Sequence, residues 1–406
     1  MAPSSNPSLL LVGASVRAAA QSARQAGFAP WAADLFGDVD LGAAAAEVHV
    51  CSRSLVDDLP QLWPHTPQAP WLYTGGLENY PELLDALARS RPLLGNDAAT
   101  VRAVRDPLVL CASLAAAGFP TLAVRAGDQP PTAGRWVSKP LRSAGGQRVF
   151  LIDADAGPVA PRPDGYFQQQ LPALGESWGA TFVMNGRRAQ RLGVCRHLHA
   201  RPLPDAACAT PSFLFGGVAV EPATLPHQAD LDAIGDFLAQ RFGLRGVVGV
   251  DVGRFESSWC VLEVNPRYPA SAQLLESTGP DSVVGLHVRA SAEGQLPRPD
   301  QIRPASPARL HIAYAPHDIV WTSQRLEEWR RLRPRASHWR AELADLPRPG
   351  ALVPRGMPLC TFYLGSRRTS ALNESALNES APSERSLGDA LGDALDDWLD
   401  RCLLNG

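Results

Sequence analysis

Over the first 95 residues, short apolar runs alternate with stretches of helical periodicity, and this switching predicts a small parallel α/β domain. Leu9-Leu-Leu-Val-Gly-Ala14 is an unbroken apolar run closed by a glycine, so it reads as a buried strand followed by a turn. Ser15 to Ala26 reads as a helix stopped by Gly27, and a second strand and turn follow near Phe28 to Asp34. Trp71-Leu-Tyr-Thr-Gly-Gly76 is a further strand ending in glycines, and Pro81 to Ser90 is helical. The first turn, Gly13-Ala-Ser-Val-Arg17, lacks the Gly-x-Gly-x-x-Gly spacing that brings backbone close to a pyrophosphate, which argues against a dinucleotide-binding domain.

Asp97 to Ala117 predicts a helix interrupted near Asp106-Pro107 and ended at Gly118. Residues 135–170 alternate short strands with turns, and Glu221 to Phe242 contains a long amphipathic helix. Gly246 to Val252 and Cys260 to Val264 read as the two arms of a hairpin, and Leu274 to Ala292 as another helix. Segment 306–365 mixes strands with Pro and Gly. Ala371-Leu-Asn-Glu-Ser375 is repeated at once as Ala376-Leu-Asn-Glu-Ser380, so 366–386 reads as a flexible linker before a terminal helix in 387–406.

Composition narrows the chemistry. At 406 residues the chain is too long for one core, and 45% hydrophobic with 19% charged residues describes a folded globular protein. A net charge of -3 supplies no basic footprint for nucleic acid. No apolar run is long enough to span a bilayer, and Met1 to Pro7 lacks a basic, cleavable leader, so no membrane partner and a cytoplasmic location are expected. The 7 cysteines are scattered and never form Cys-x-x-Cys, which argues against a disulfide framework or a zinc site. Of the 38 Lys and Arg residues one is a lysine, Lys139, leaving 37 arginines. A lysine that survives such a bias is a candidate for a role that needs a compact point charge rather than a planar fork.

Three separated segments suit one task. In Trp136-Val-Ser-Lys-Pro-Leu-Arg-Ser-Ala-Gly-Gly-Gln-Arg148 a strand delivers Lys139, and the loop that follows holds Ser143, Gly145 and Gly146. Such a loop can bring backbone N–H groups to phosphate oxygens, although a plain Gly-Gly hairpin turn reads equally well from these residues alone. Tyr166-Phe-Gln-Gln-Gln-Leu171, followed by Gly175-Glu176, could offer backbone and amide groups to a base edge. Gly249-Val-Asp-Val252 and Val261-Leu-Glu-Val-Asn-Pro-Arg267 place Asp251 on one strand, and Glu263 with Asn265 on one face of the next. Two carboxylates and an amide oxygen are the hard ligands Mg²⁺ prefers, and Mn²⁺ can stand in its place. The apolar neighbours Val250, Val252, Val261 and Val264 bury the hairpin, where unpaired carboxylates would be costly without a cation.

Taken together, the lysine–proline strand with its Gly-rich loop, the Gln-rich hinge, the Asp strand and Glu-x-Asn-Pro-Arg resemble the ATP-grasp superfamily over roughly residues 10–300. They look most similar to its carboxylate–amine ligases and carbamoyl-phosphate-synthase-like members. The resemblance implies a Rossmann-like pre-ATP-grasp domain (1–95), a two-lobed grasp (96–165 and 166–300) and a small β-rich cap (301–365). It implies that Lys139, Ser143, Gly145, Gly146, Gln169, Gln170 and Glu176 bind ATP, and that Asp251, Glu263 and Asn265 hold Mg²⁺. Arg267 and Lys139 would act on the transferred phosphate or the acyl phosphate. An earlier lysine common in the family is absent, and Arg102 or Arg105, in Arg105-Asp106-Pro107, would substitute. Substrate contacts fall to the variable segments: Arg196, His197 and His199 in Cys195-Arg-His-Leu-His-Ala-Arg201, and Gly216 in the turn Phe215-Gly216-Gly217. The implied partners are a small carboxylate and an amine, with a homodimer in keeping with the family. A nucleotide-binding regulatory or assembly protein and a bicarbonate-dependent carboxylase are the other two readings.

Overall fold

The computed structural model describes residues 6–171, 177–200, 213–220, 227–255, 258–276, 281–302, 308–331 and 339–366. Glu176, the 366–386 linker beyond residue 366, and the terminal helix expected in 387–406 lie outside the described residues.

The N-terminal domain is a four-stranded parallel sheet in the order Glu47–Val50, Ala29–Asp34, Ser8–Gly13, Trp71–Tyr73. Leu9, Leu10, Leu11 and Val12 are all buried, because helices such as Arg17–Gln25 cover the sheet and leave no solvent face. The helices Val39–Ala44 and Leu55–Leu62 and the edge strand Glu47–Val50 were not apparent from periodicity. The expected interruption at Asp106 is a cap: its carboxylate accepts from Leu108 and Val109 N–H, which ends Ala98–Arg105 and starts Pro107–Ala116.

The central lobe is a four-stranded antiparallel sheet in the order Val124–Ala126, Gly165–Gln169, Arg135–Pro140, Phe150–Asp153. Apart from the short pair Ile319–Val320 and Leu352–Val353, the strands of the rest of the described chain build one eight-stranded antiparallel sheet. Its order is Ser258–Asn265, Arg245–Phe255, Ser177–Asn185, Ala189–His199, Phe215–Val220, Ala308–Tyr314, Pro358–Ser366, Trp339–Ala344. Ala308 to His311 of the strand Ala308–Tyr314 pair with Val220 to Gly217, so the β-rich residues expected as a cap extend the sheet of the C-terminal lobe. The segment around Arg196 and the anticipated turn at Gly216 are also strands of this sheet. Their backbone groups pair with each other, which sequence periodicity does not show. Among the described residues no helix is long and apolar enough to cross a membrane.

Candidate active site

A cavity of about 870 Å³ opens where the three parts meet. The parallel strands of the N-terminal domain end on it, as such sheets do at their carboxyl edge, through Ala14, Leu35, Thr74 and Gly75. Opposite them stand the lysine strand of the central lobe and the Asp/Glu hairpin of the C-terminal lobe.

Lys139 and Tyr166 are register partners on neighbouring strands, so their side chains share a face. Two residues on, Gln168 points the same way and is buried. Lys139 Nζ donates to Gln168 Oε1 at 3.2 Å, lies 3.5 Å from Glu263 Oε2, and sits 5.8 Å from the centre of the Tyr166 ring. Burial pulls the ammonium's pKa down, but Tyr166 and Glu263 outweigh it and raise it, so the lysine stays charged. The amide of Gln168 also donates to Leu262 O at 3.2 Å, tying the central lobe to the hairpin.

Asp251 and Glu263 are register partners across that hairpin, just before a bulge between Asp251 and Val252. Burial, the facing Glu263 charge and a hydrogen bond between the two raise Asp251 well above the carboxylate range. Burial also pushes Glu263 upward, but Lys139, Arg105 and Arg267 prevail and hold it below the ordinary value. The pair therefore shares one proton when nothing else neutralises it. Asn265 completes the set, its amide donating to Asp251 Oδ2 at 3.1 Å. An oxygen-only set that must hold a proton between two facing carboxylates fits a hard divalent cation.

Arg267 is braced on two sides. Its guanidinium donates to Glu78 Oε1 and to Asn265 Oδ1, each at 3.1 Å. Arg105 reaches the same Glu78 oxygen at 3.6 Å, whereas Arg102 pairs with the surface residue Asp85. Arg105, not Arg102, lines the cavity. The Glu78 side chain is 1% exposed and holds two arginines at the mouth of the hairpin. Sequence reading passed over it, although it follows the glycine turn Gly75-Gly76 at a strand end.

The Gly-rich loop closes one side. Gly145 and Gly146 have φ of 64° and 72°, in the left-handed region. Gly145 O accepts from Phe215 N at 2.9 Å, and Ser143 Oγ donates to Gln147 O at 2.8 Å. Gln169 and Gln170 line the cavity beside apolar Leu110, Leu122, Val137 and Leu262, while the buried glutamine is Gln168.

His197 and His199 line the cavity; Arg196 and Gly216 do not. His197 Nε2 lies 3.6 Å from Asp251 Oδ1, and burial drives its pKa down to about 4, so it is neutral at pH 7. Gly216 serves packing: a Cβ there would meet the His199 carbonyl carbon at 2.3 Å.

Residues 106–271 match the family model described as an ATP-grasp domain. No curated protein matches the chain. Among solved structures, N5-carboxyaminoimidazole synthetase from Staphylococcus aureus complexed with ADP is similar, at 14% identity and a TM-score of 0.65, covering 96% of this chain and 97% of that one. The L-amino acid ligase from Bacillus licheniformis shows the same figures: 14% identity, TM-score 0.65, and 96% and 97% coverage. Biotin carboxylase from Campylobacter jejuni, solved with a β,γ-ATP ligand, matches at 11% identity and a TM-score of 0.66, covering 89% and 87%. Residues 106–271 are thus an ATP-grasp domain, and the chain as a whole carries the ATP-grasp fold.

Proposed function

We propose that the protein is an ATP- and Mg²⁺-dependent ligase that activates a substrate carboxylate as an acyl phosphate for attack by an amine. The product would be a cofactor or another amino-acid-derived small molecule. The observation that carries this reading is the convergence of Lys139, Asp251, Glu263, Asn265 and Arg267 on one cavity.

Each residue then has a role that follows from its surroundings. Asp251, Glu263 and Asn265 would hold Mg²⁺, which when bound neutralises phosphate charge. Lys139, kept charged and held by Gln168 and Glu263, faces the phosphates as a fixed point charge. Gly145 and Gly146 close over them, and the Gln169–Gln170 edge with its apolar neighbours suits the base. Arg267 and Arg105, both anchored on Glu78, present positive charge where the carboxylate is phosphorylated. The carboxylate oxygen attacks the γ-phosphorus and ADP leaves. The amine nitrogen then attacks the carbonyl carbon, phosphate departs with the C–O bond pair, and the nitrogen releases a proton. Positioning and charge do the work, and no protein nucleophile is needed. The names of the Staphylococcus aureus synthetase and the Bacillus licheniformis ligase agree with bond formation of this kind.

The test is ADP release from Mg-ATP, with and without pooled amino acids, polyamines and small carboxylates, with products read by mass spectrometry. Stimulated release together with a new amide mass supports the ligase. Nucleotide binding with no stimulated release under any pool overturns it in favour of a non-catalytic nucleotide-binding protein.

A further inference from the structure

The wall of the cavity opposite the Asp/Glu hairpin carries a second set of charges that the proposed phosphate chemistry does not use. It is formed by Arg17 and Asp38 of the N-terminal domain and by Asp345, which follows the last strand of the extended sheet in space. Arg17 Nε and Nη2 donate to the two Asp345 oxygens at 2.9 and 3.0 Å, and Arg17 lies 3.3 Å from Asp40. Asp40 in turn accepts from the Asp345 and Leu346 N–H groups at 3.0 and 3.1 Å. Asp345 holds φ of 55°, an uncommon value for a residue with a side chain. Nearby Asp34 is satisfied by three backbone N–H groups, from Val16, Phe36 and Gly37.

Asp38 is the exception. It is 4% exposed and lines the cavity, yet its Oδ2 has no hydrogen-bond partner among the described residues. It occupies the position before the helix Val39–Ala44, but its side chain makes no capping bond. Four carboxylates (Asp34, Asp38, Asp40, Asp345) gather around the Arg17 guanidinium, with Arg348 bonded to Gly37 O beside them, so the cluster is short of positive charge. A buried carboxylate in that state is costly unless a cation or a proton joins it. Burial, then the charges of Asp345, Asp34 and Asp40, push Asp38 up to about 9, which is the proton's side of that choice.

The chemistry of the missing cation is narrowed by the neighbours. Both Asp40 oxygens are already taken by N–H donors and Arg17. One open carboxylate beside the apolar lining of Ala18, Leu35 and Phe36 suits an organic cation whose carbon skeleton is also sheltered. The cluster is joined to the phosphate end of the cavity by a short chain of contacts. Ser15 hydrogen-bonds Asp345, its carbonyl accepts from Thr74 Oγ1 at 2.9 Å, and Gly75 abuts Arg267, whose Nε would stand 3.7 Å from a Cβ there.

We infer that Asp38 is the recognition group for a substrate bearing a protonated amine, so the amine partner of the ligase is a cationic compound docked between the N-terminal domain and the extended sheet. This names the class of the second substrate and rests on the ligase reading above.

The experiment uses the full chain and Asp38→Asn. Melting temperatures are measured in Mg-ATP with a series of primary ammonium salts (ethanolamine, putrescine, the amino acids) and with the matching alcohols. Asp38→Asn alone should melt no lower than the wild type, because an amide replaces a buried carboxyl that the folded chain holds protonated. At least one ammonium compound should protect the wild type but not the variant, and no alcohol should protect either. A variant that melts lower or does not fold makes Asp38 a structural residue and overturns the proposal. So does protection that survives the substitution, or its absence across the ammonium series. Hydroxamate formation from carboxylates with hydroxylamine, scored alongside ADP release, reads the ligase activity separately. If no hydroxamate forms, the ligase reading fails while the melting result still decides whether Asp38 binds ammonium. If it forms, the ratio of amine-supported to hydroxylamine-supported turnover should fall at least tenfold in Asp38→Asn.

Discussion

Lys139 is enclosed by an amide, a carboxylate and an aromatic ring, and this enclosure makes its identity testable. Its ammonium fits between Gln168 and Glu263 as a single point; a guanidinium in that space would have to displace one of them. Lys139→Arg keeps the charge but should lower ATP turnover about a hundredfold, a loss of the size seen when one aligned electrostatic donor is removed. Steady-state ADP release reads it, and a variant as fast as wild type would show that the solitary lysine is an accident of composition. Glu263→Gln removes one of the two facing carboxylates. Turnover should fall by about 10²–10³, while the chain still folds with a modestly lower melting temperature, because Lys139 loses its ion-pair partner as Asp251 loses a neighbouring carboxylate. Unfolding of this variant, or full activity, would contradict the role given to Glu263. The two residues were legible in the sequence because each stands in a local pattern, one after an apolar strand and the other in Glu-x-Asn-Pro-Arg. Glu78 and Gln168 were not. Glu78 matters only through Arg105 and Arg267, far along the chain, and Gln168 was one of three glutamines that only strand register could tell apart.

At the level of elements, the Gly-rich loop separates two demands that a sequence motif merges. Both glycines need positive φ, but only Gly146 also needs the absence of a side chain, since a Cβ would meet Phe213 O at 1.8 Å. At Gly145 the nearest atom would be Phe215 Cβ at 4.0 Å. Gly145→Ala should therefore cost only the left-handed penalty, roughly 1 kcal/mol, and raise the KM for ATP by a few-fold. Gly146→Ala must also push the loop off the 213–215 segment, and its KM should rise by roughly tenfold or more. Equal effects from the two substitutions would mean that contact with that segment does not set the loop's position. The same contrast explains which elements could be read in advance. The Asp/Glu hairpin announces itself by carboxylates set within apolar runs, and the amphipathic helix now seen as Gln228–Phe242 by its helical period. Ser177–Asn185 does not, because Gly179 and Thr181 break its apolar run, although seven consecutive residues, Trp178 to Met184, are buried. Its neighbour Ala189–His199 alternates sides along its last residues, so of the three substrate candidates His197 and His199 line the cavity and Arg196 does not.

The cavity exists because three layers are held in register, by apolar clusters that cross the seams, such as Leu9, Ala19 and Leu94 with Val183, Val247 and Val284, and by polar pairs beside them. Tyr73 Oη and Asn96 Nδ2 both donate to Pro266 O, at 3.1 and 3.0 Å, fixing the N-terminal domain to the residue before Arg267. His287 does the same from the other side. It is 2% exposed, its Nδ1 accepts from Val247 N at 2.9 Å, and its Nε2 donates to Leu94 O at 3.0 Å. One nitrogen must accept and the other must donate, so only the neutral ring satisfies both contacts. Burial accordingly lowers its pKa from 6.5 to about 4. Between those two values the unfolded chain binds a proton that the folded chain refuses. The stability this residue supports is thus complete above pH 6.5 and is lost as pH falls towards 4, by about 3 kcal/mol in all. Asp38 acts in the opposite sense: with its pKa raised to about 9, the folded chain holds a proton that the unfolded chain releases above 3.8. The absolute pH curve therefore mixes both, and a difference isolates the histidine. Urea unfolding of wild type and His287→Asn from pH 7.5 to 4.5 should give curves whose separation narrows steadily on acidification, since the variant has no ring to protonate. A separation that stays constant across this range would mean that His287 is protonated in the folded protein, and that the seam is held by something other than a neutral imidazole.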